Sequence, residues 1–137
     1  MKNILIAACA VAALLNQASV SAQGECWSIS NIKGYAAYAS QGYKFSADGL
    51  PSTIMICFTS DGGVVTGSDV KFVKFGASTL AGYGGNNLGN ELFEVYQIDR
   101  EHRKLLYTKS RIGTKTVAPA LSDVVYAFVG DAAPLRR

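Results

Sequence analysis

The sequence predicts a small, mainly β domain: an antiparallel β-barrel or a strongly bent sheet, with a short C-terminal helix. Most segments are rich in β-branched and aromatic residues that alternate with polar ones, and many of the 14 glycines separate these segments. The length of 137 residues supports a single domain. Many short strands in one domain favour a barrel or a bent sheet, with a β-sandwich as the alternative.

Composition and charge exclude several classes of protein. Hydrophobic residues make up 49% of the chain and the formal net charge is only +3, which excludes a disordered chain. No apolar stretch is long enough to span a bilayer as a helix, so we expect no stable membrane insertion.

Residues 1–22 are predicted to be a secretory signal peptide. Lys2 supplies a positive start, residues 4–15 form an unbroken apolar run, and Val20 and Ala22 are small residues at a cleavage site. Residues 23–137 would then form the single β-rich domain of a periplasmic or secreted protein. The alternative is lipidation at Cys9, because residues 6–9 fit the bacterial lipobox pattern.

Two cysteines, Cys26 and Cys57, remain in the predicted mature chain. An even number of cysteines in an exported chain predicts one disulfide. Two buried thiols or a metal pair are the alternatives, but only His102 is available as a further soft ligand. We therefore predict a disulfide and neither a metal site nor a cofactor.

The first half of the mature chain shows strand patterns separated by glycines. Residues 53–59 are apolar on both faces, which predicts a central buried strand. Residues 61–63 predict a turn, and residues 81–90, with four glycines and three asparagines, predict a loop. The other predicted strands span residues 26–32, 35–43, 64–66 and 70–75.

Residues 91–99 and 104–112 form the best-defined pair of strands. The short polar connection 100–103 between them predicts a β-hairpin. In the second strand Leu105, Tyr107, Lys109 and Arg111 share one face.

The C-terminal segment favours a helix instead. Ser122 and Asp123 resemble a helix start, and Gly130 resembles a helix stop. An apolar stripe at helical spacing lies between them, so a short helix is expected to pack on the sheet. The stripe consists of Leu121, Val124, Val125 and Phe128.

Catalytic motifs find little support. The glycine-rich segment 82–89 lacks the Lys-Ser/Thr ending of a phosphate-binding loop. Ser30 and Ser68 each begin a Ser-x-x-Lys match, but the companion motifs are absent and both are interpreted as chance. His102, the single histidine, lies in a charged turn. Glu94 is the one mid-strand carboxylate, and we expect it to form an ion pair with a basic residue of the next strand.

Basic and aromatic side chains on the hairpin indicate a binding surface. Together with a tyrosine of the glycine-rich segment they suggest a positively charged patch that binds an anionic partner. Nucleic acid is not expected as the partner, because the net charge is small. The predicted binding residues are Tyr83, Tyr96, Arg103, Tyr107, Lys109 and Arg111.

Three blocks of sequence carry a resemblance: residues 93–100 (FEVYQIDR), 104–114 (KLLYTKSRIGT) and 123–132 (DVVYAFVGDA). They resemble small uncharacterised exported proteins of alphaproteobacteria, which implies a bacterial origin and export but no activity. In size, export and β content the chain is also similar to periplasmic lysozyme inhibitors of the small-barrel type. Their inhibitory motif is not matched here, so this similarity concerns architecture only.

We therefore expect an exported, non-enzymatic domain that binds either a small apolar ligand inside the barrel or a protein partner on its rim. One alternative is an inhibitor of a secreted hydrolase such as lysozyme. The other is a hydrolase whose site the sequence does not reveal.

Overall fold

The computed structural model describes residues 24–85, 89–113 and 122–136. The predicted signal peptide, residues 1–22, and Cys9 with its lipobox pattern lie outside these ranges. Within them, no helix has the length and apolar character needed to cross a membrane.

The described residues form nine β-strands and one short 3₁₀ turn, Ala39–Gln41. The strands are β1 (Cys26–Tyr38), β2 (Phe45–Leu50), β3 (Ile54–Phe58), β4 (Gly62–Val65), β5 (Lys71–Phe75), β6 (Thr79–Gly85), β7 (Glu91–Asp99), β8 (Lys104–Ile112) and β9 (Val124–Pro134).

Eight of these strands close into an antiparallel β-barrel, which confirms the barrel prediction. The long strand β1 forms the seam. One edge of β1 pairs with β9, and its other edge pairs first with β3 and then with β2. A change of register between Ser30 and Lys33, where Asn31 has a φ of 51°, bends β1 so that it can serve three neighbours.

Apolar side chains on the inward faces of the strands fill the interior of the barrel. This follows from the alternation along each strand, since every second residue points inward. Among the largest fully buried side chains are Ile29, Ile32, Ile56, Phe58, Leu80 and Leu105.

The predicted disulfide joins Cys26 to Cys57. The two residues lie directly opposite each other in the pairing of β1 with β3, and their Cα atoms are 4.0 Å apart. The bond therefore fixes the start of the barrel seam to the first strand that pairs with it.

The predicted C-terminal helix is wrong, because the segment forms strand β9. Its burial follows a period of two: Val124, Phe128 and Ala132 are buried, whereas Val125 and Val129 are exposed on the outer wall. β-Branched and aromatic residues suit this position between β8 and β1.

Asp123, which was expected to begin the helix, makes hydrogen bonds to other parts of the barrel instead. The carboxylate of Asp123 accepts hydrogen bonds from the Tyr43 hydroxyl at 2.7 Å and from the Gly113 amide at 2.9 Å. It therefore ties the ends of β8 and β9 to the connection between β1 and β2.

The predicted loop over residues 81–90 is wrong in its first half, where β6 continues to Gly85. The glycines there serve packing. A Cβ on Gly82 would lie 2.4 Å from Cγ1 of Val70, and one on Gly84 would lie 3.2 Å from Cγ2 of the same residue. Residues 86–88 lie outside the described ranges.

Three strand predictions change in detail. The predicted strand 35–43 ends at Tyr38, because Gly42 and Tyr43 adopt positive φ values of 65° and 58°. The turn expected at 61–63 lies slightly earlier, at residues 59–62, where the Thr59 amide donates to the Gly62 carbonyl at 2.9 Å, and β4 begins at Gly62. The central strand β3 buries one face only, since Met55 is 43% exposed.

Candidate functional site

Polar side chains gather at one end of the barrel interior, where β7 begins and β8 ends. We call this end the mouth. Glu94 of β7 pairs in register with Lys109 of β8, and Leu92 pairs with Arg111. These residues lie on the same inward face as Tyr96 and the other buried residues of β7 and β8, so the mouth places charged groups above an apolar interior.

Glu94 is the centre of a buried hydrogen-bond network and is only 2% exposed. Its Oε1 lies 2.7 Å from Nζ of Lys109 and accepts the Tyr107 hydroxyl at 3.4 Å. Its Oε2 accepts the hydroxyls of Ser68 at 3.1 Å and of Tyr96 at 3.3 Å. The ion pair expected from the sequence is therefore confirmed, and each carboxylate oxygen has two donors.

The two tyrosines below Glu94 stack on each other. The ring centroids of Tyr96 and Tyr107 are 4.4 Å apart and the ring planes differ by 12°. Burial raises the pKa of both phenols above the usual range. Both therefore stay neutral and donate to the carboxylate.

A cleft of about 840 Å³ opens beside this network. It is bounded by the connection between β4 and β5, by the end of β6 and by the mouth ends of β7 and β8. The lining residues are 67–71, 83–85, 90, 92, 94, 109 and 111.

The wall formed by the β4–β5 connection is held in place by its own hydrogen bonds. Gly67 has a φ of 80°, which turns the chain so that the Ser68 amide donates to the carbonyl of Val65 at 3.1 Å. The Ser68 hydroxyl accepts the Val70 amide at 3.3 Å and donates to Glu94. The connection is therefore anchored to the buried network.

The open part of the cleft carries both charge and aromatic surface. Lys71 and Asp69 are exposed, and the side chain of Tyr83 is 60% exposed. The Arg111 guanidinium donates from Nε and Nη2 to the carbonyl of Ser122, at 3.2 and 3.1 Å, which fixes its position at the edge of the cleft.

The six binding residues predicted from the sequence fall into three groups. Tyr83, Lys109 and Arg111 line the cleft. Tyr96 and Tyr107 lie beneath it, with exposures of 4% and 3%, so they support the cleft instead of forming its surface.

The sixth predicted residue, Arg103, lies apart from the others. It is in the turn between β7 and β8, at the opposite end of the hairpin, with a φ of 53°. His102, in the same turn, has a side chain that is 70% exposed and places its Nδ1 2.8 Å from Asp99. Hydrogen bonds from His102 lower the pKa of the Asp99 carboxyl.

Sequence reasoning missed the cleft residues Ser68, Asp69, Lys71 and Leu92. Ser68 and Lys71 are the two ends of a Ser-x-x-Lys match, which was considered only as a catalytic motif. In the structure both residues line the cleft. No local signal could have grouped these residues, because Ser68 reaches Glu94 only through the pairings of β5 with β6 and of β6 with β7.

No protein-family model, curated protein or solved structure matches this chain. Within the ranges 24–85, 89–113 and 122–136, no three His, Cys, Asp or Glu side chains are placed to hold a metal ion.

Proposed function

We propose that this chain is a non-enzymatic binding domain and that the cleft at the mouth is its binding site. The observation that carries the proposal is an open cleft of about 840 Å³ above an interior filled by apolar side chains. Ligand sites in proteins commonly have volumes of roughly 300–1,000 Å³. The filled interior favours a ligand that enters the mouth over one enclosed in the barrel.

The network below the cleft supports the same proposal. Burying Glu94 and Lys109 removes both charges from water, and apolar residues of similar size often stabilise a fold as well or better. The hydroxyls of two tyrosines and a serine also donate to the Glu94 carboxylate. These hydrogen bonds offset the unfavourable free energy of removing the charge from water. Such a network holds the cleft floor in one arrangement, and a preformed site loses less entropy on binding.

A hydrolase is the weaker candidate. Ser68 and Glu94 are hydrogen bonded, but the carboxylate is also held by Lys109 and the tyrosines, and the serine oxygen accepts the Val70 amide. The serine therefore has a structural partner on each side. His102 lies at the other end of the β7–β8 hairpin.

Export to the periplasm or the extracellular space is part of the proposal. The Cys26–Cys57 disulfide supports it, since disulfides persist in oxidising compartments. N-terminal sequencing of the mature protein is expected to find Gln23 first. A chain that begins at Cys9, or one that retains Met1, would contradict this part of the proposal.

Mapping bound fragments by amide chemical shift tests the binding site. A set of small neutral, cationic and anionic compounds is added to ¹⁵N-labelled protein. We expect at least one class to shift the amides of residues 67–71 and 83–85 together. Shifts scattered over the barrel, or no saturable shifts at all, would refute the site.

A matched pair of variants separates the cleft from the general surface. Tyr83 and Tyr35 are both 60% exposed, but only Tyr83 lines the cleft. Tyr83→Ala is expected to weaken fragment binding, and Tyr35→Ala is expected to leave it unchanged. Equal effects of the two variants would mean that the aromatic surface, and not the cleft, attracts the fragments.

A further inference from the structure

We infer that the free edge of β2 binds an extended peptide segment of another protein, one with a basic side chain between two apolar ones. The described residues that line the cleft include none from β2, so this is a second surface and the inference goes beyond the proposed function. It follows from the backbone groups that β2 leaves unpaired and from the side chains on its two faces.

Among the described strands, β2 is the one that pairs along a single edge. It pairs with residues 32–37 of β1, and no described strand lies on its other side. Strand β4 continues the wall beyond β3, but it pairs with residues 56–58 and does not reach β2. The wall formed by the described residues therefore has an open edge along β2.

The backbone groups at this edge can be identified from one hydrogen bond. The Gly49 amide donates to the carboxylate of Asp48 at 2.7 Å, so it points away from the pairing with β1. Bonded and non-bonded positions alternate along an antiparallel pair, so the N–H and C=O groups of Phe45 and Ala47 also face the open edge. Another extended backbone matches groups that recur at every second residue.

The sequence of β2 does little to block this edge. All six residues are exposed or half-buried, and the strand contains neither lysine nor proline, two residues that commonly prevent pairing at an exposed edge. Lys44 and Pro51 stand directly outside the strand, one on each side. They limit the added strand to a short segment of about this length.

The outer face of β2 favours apolar side chains on the partner. Phe45 is 65% exposed and Ala47 is exposed as well, and Ala47 lies opposite Tyr35 of β1, which is 60% exposed. Side chains directly opposite each other on neighbouring strands are in contact. Two apolar residues of an added strand would therefore cover Phe45 and Ala47.

The inner face favours a basic side chain between these two residues. Asp48 faces the mouth, where its Oδ2 accepts the Tyr38 hydroxyl at 2.5 Å and its Oδ1 accepts the Gly49 amide. A carboxylate has about four acceptor positions, and none of the ion pairs recorded among the described residues includes Asp48. A lysine on the added strand can supply the missing opposite charge.

A single strand fits this edge better than a second copy of the barrel. Neighbouring strands lie about 4.8 Å apart, so a copy paired antiparallel through its own β2 would have its wall one strand spacing away. Both closed walls would then curve to the same side of the shared sheet and overlap. A partner segment in extended conformation meets no such obstacle.

Titration of ¹⁵N-labelled protein with short peptides tests the inference. The probe is acetyl-Thr-Val-Lys-Val-Thr-amide, and we expect it to shift the amides of residues 45–49 saturably and to protect those of Phe45 and Ala47 from hydrogen exchange. The same peptide with both valines N-methylated keeps its side chains but loses the donors that face β2, so it should bind at least about tenfold more weakly. A peptide with glutamate in place of lysine should bind about fivefold more weakly.

Variants of the protein separate the charge from the backbone. Asp48→Asn should abolish the preference for lysine over glutamate, whereas Asp61→Asn, at a carboxylate in the turn after β3, should preserve it. Ala47→Pro removes an edge-facing donor without touching the pairing with β1, so it should weaken binding of the lysine peptide. The peptide comparisons use the unaltered protein, so they decide the matter even if a variant fails to fold.

The outcomes distinguish this inference from the proposed function. Shifts confined to residues 67–71 and 83–85 would place the peptide in the cleft, which would overturn the edge inference and support cleft binding. Equal affinity of the N-methylated peptide, or no saturable shift of residues 45–49, would overturn the edge inference and leave the fragment result for the cleft untouched. Protection of Phe45 and Ala47 that rises with protein concentration alone would show pairing with a second copy and would overturn the assignment to a partner protein.

Discussion

Lys109→Met removes the cation from the buried network and leaves Glu94 without its opposite charge. Methionine keeps the length and the apolar stem of lysine, so the variant tests the charge instead of the packing. The Glu94 side chain is 3% exposed, and its remaining donors are the hydroxyls of Ser68, Tyr96 and Tyr107.

The expected loss follows from the burial of the pair. Removing one member of a buried ion pair costs about 3–5 kcal/mol, and the 18% exposure of the Lys109 side chain places the estimate at about 3 kcal/mol. A domain of roughly this size loses about 4 °C of melting temperature per kcal/mol, which corresponds to a decrease of about 12 °C.

The double variant Glu94→Gln/Lys109→Met removes both charges. Glutamine keeps acceptors and donors for the neighbouring hydroxyls, so we expect the double variant to regain most of the stability that Lys109→Met loses. Urea unfolding of both variants and the parent gives the free energies of unfolding, and the coupling follows from the cycle.

A matched control is Lys104→Met. The Lys104–Asp131 pair is as short, at 2.6 Å, but both side chains are nearly half exposed, so its loss should change the melting temperature little. The reasoning is refuted if Lys109→Met costs less than about 1 kcal/mol, or if the double variant is no more stable than Lys109→Met.

Three further predictions concern the barrel itself. Replacing Cys26 and Cys57 together by alanine should lower the free energy of unfolding by about 3–4 kcal/mol, because the 31-residue separation is no longer closed in the unfolded chain; a urea midpoint equal to that of the parent would contradict this. Gly82→Ala should destabilise the fold by about 1–3 kcal/mol through overpacking. Gly84→Ala should destabilise it less, because the added Cβ would lie farther from the neighbouring valine. Thermal melts that rank the two variants in the opposite order would contradict this explanation of the glycines. Burial holds the pKa of Tyr107 above the unfolded value, so its contribution to stability is full below roughly pH 10 and is lost as the pH rises above it. Tyr107→Phe should therefore flatten the alkaline decline in urea midpoint, and an unchanged slope would count against this assignment.

Local patterns were sufficient where each strand could be identified from its own residues. The hairpin of β7 and β8 has the predicted bounds, 91–99 and 104–112, because clear alternation is interrupted by one short polar connection. The same register places Glu94 opposite Lys109, so their ion pair could be foreseen. The disulfide followed from the cysteine count.

The features that could not be predicted depend on packing between segments that are distant in the sequence. The glycines of β6 resembled loop residues, but Gly82 is required by Phe72 of the adjacent strand β5 and by Val70 directly before that strand. In β9 the apolar spacing fits a helix as well as a strand, and the open position between β8 and β1 selects the strand. Ser68 approaches Glu94 only because the barrel closes, so the cleft could not be read from any one segment.

The seam between β1 and β9 has a consequence for how the chain folds. Trp27 lies opposite Pro134, and the Leu135 amide donates to the Cys26 carbonyl at 2.9 Å, so the first and last strands meet. The cylinder cannot close until the final strand has emerged from the ribosome, and contacts between the two chain ends make folding slow. Until β9 pairs with β1, the barrel therefore stays open along this seam.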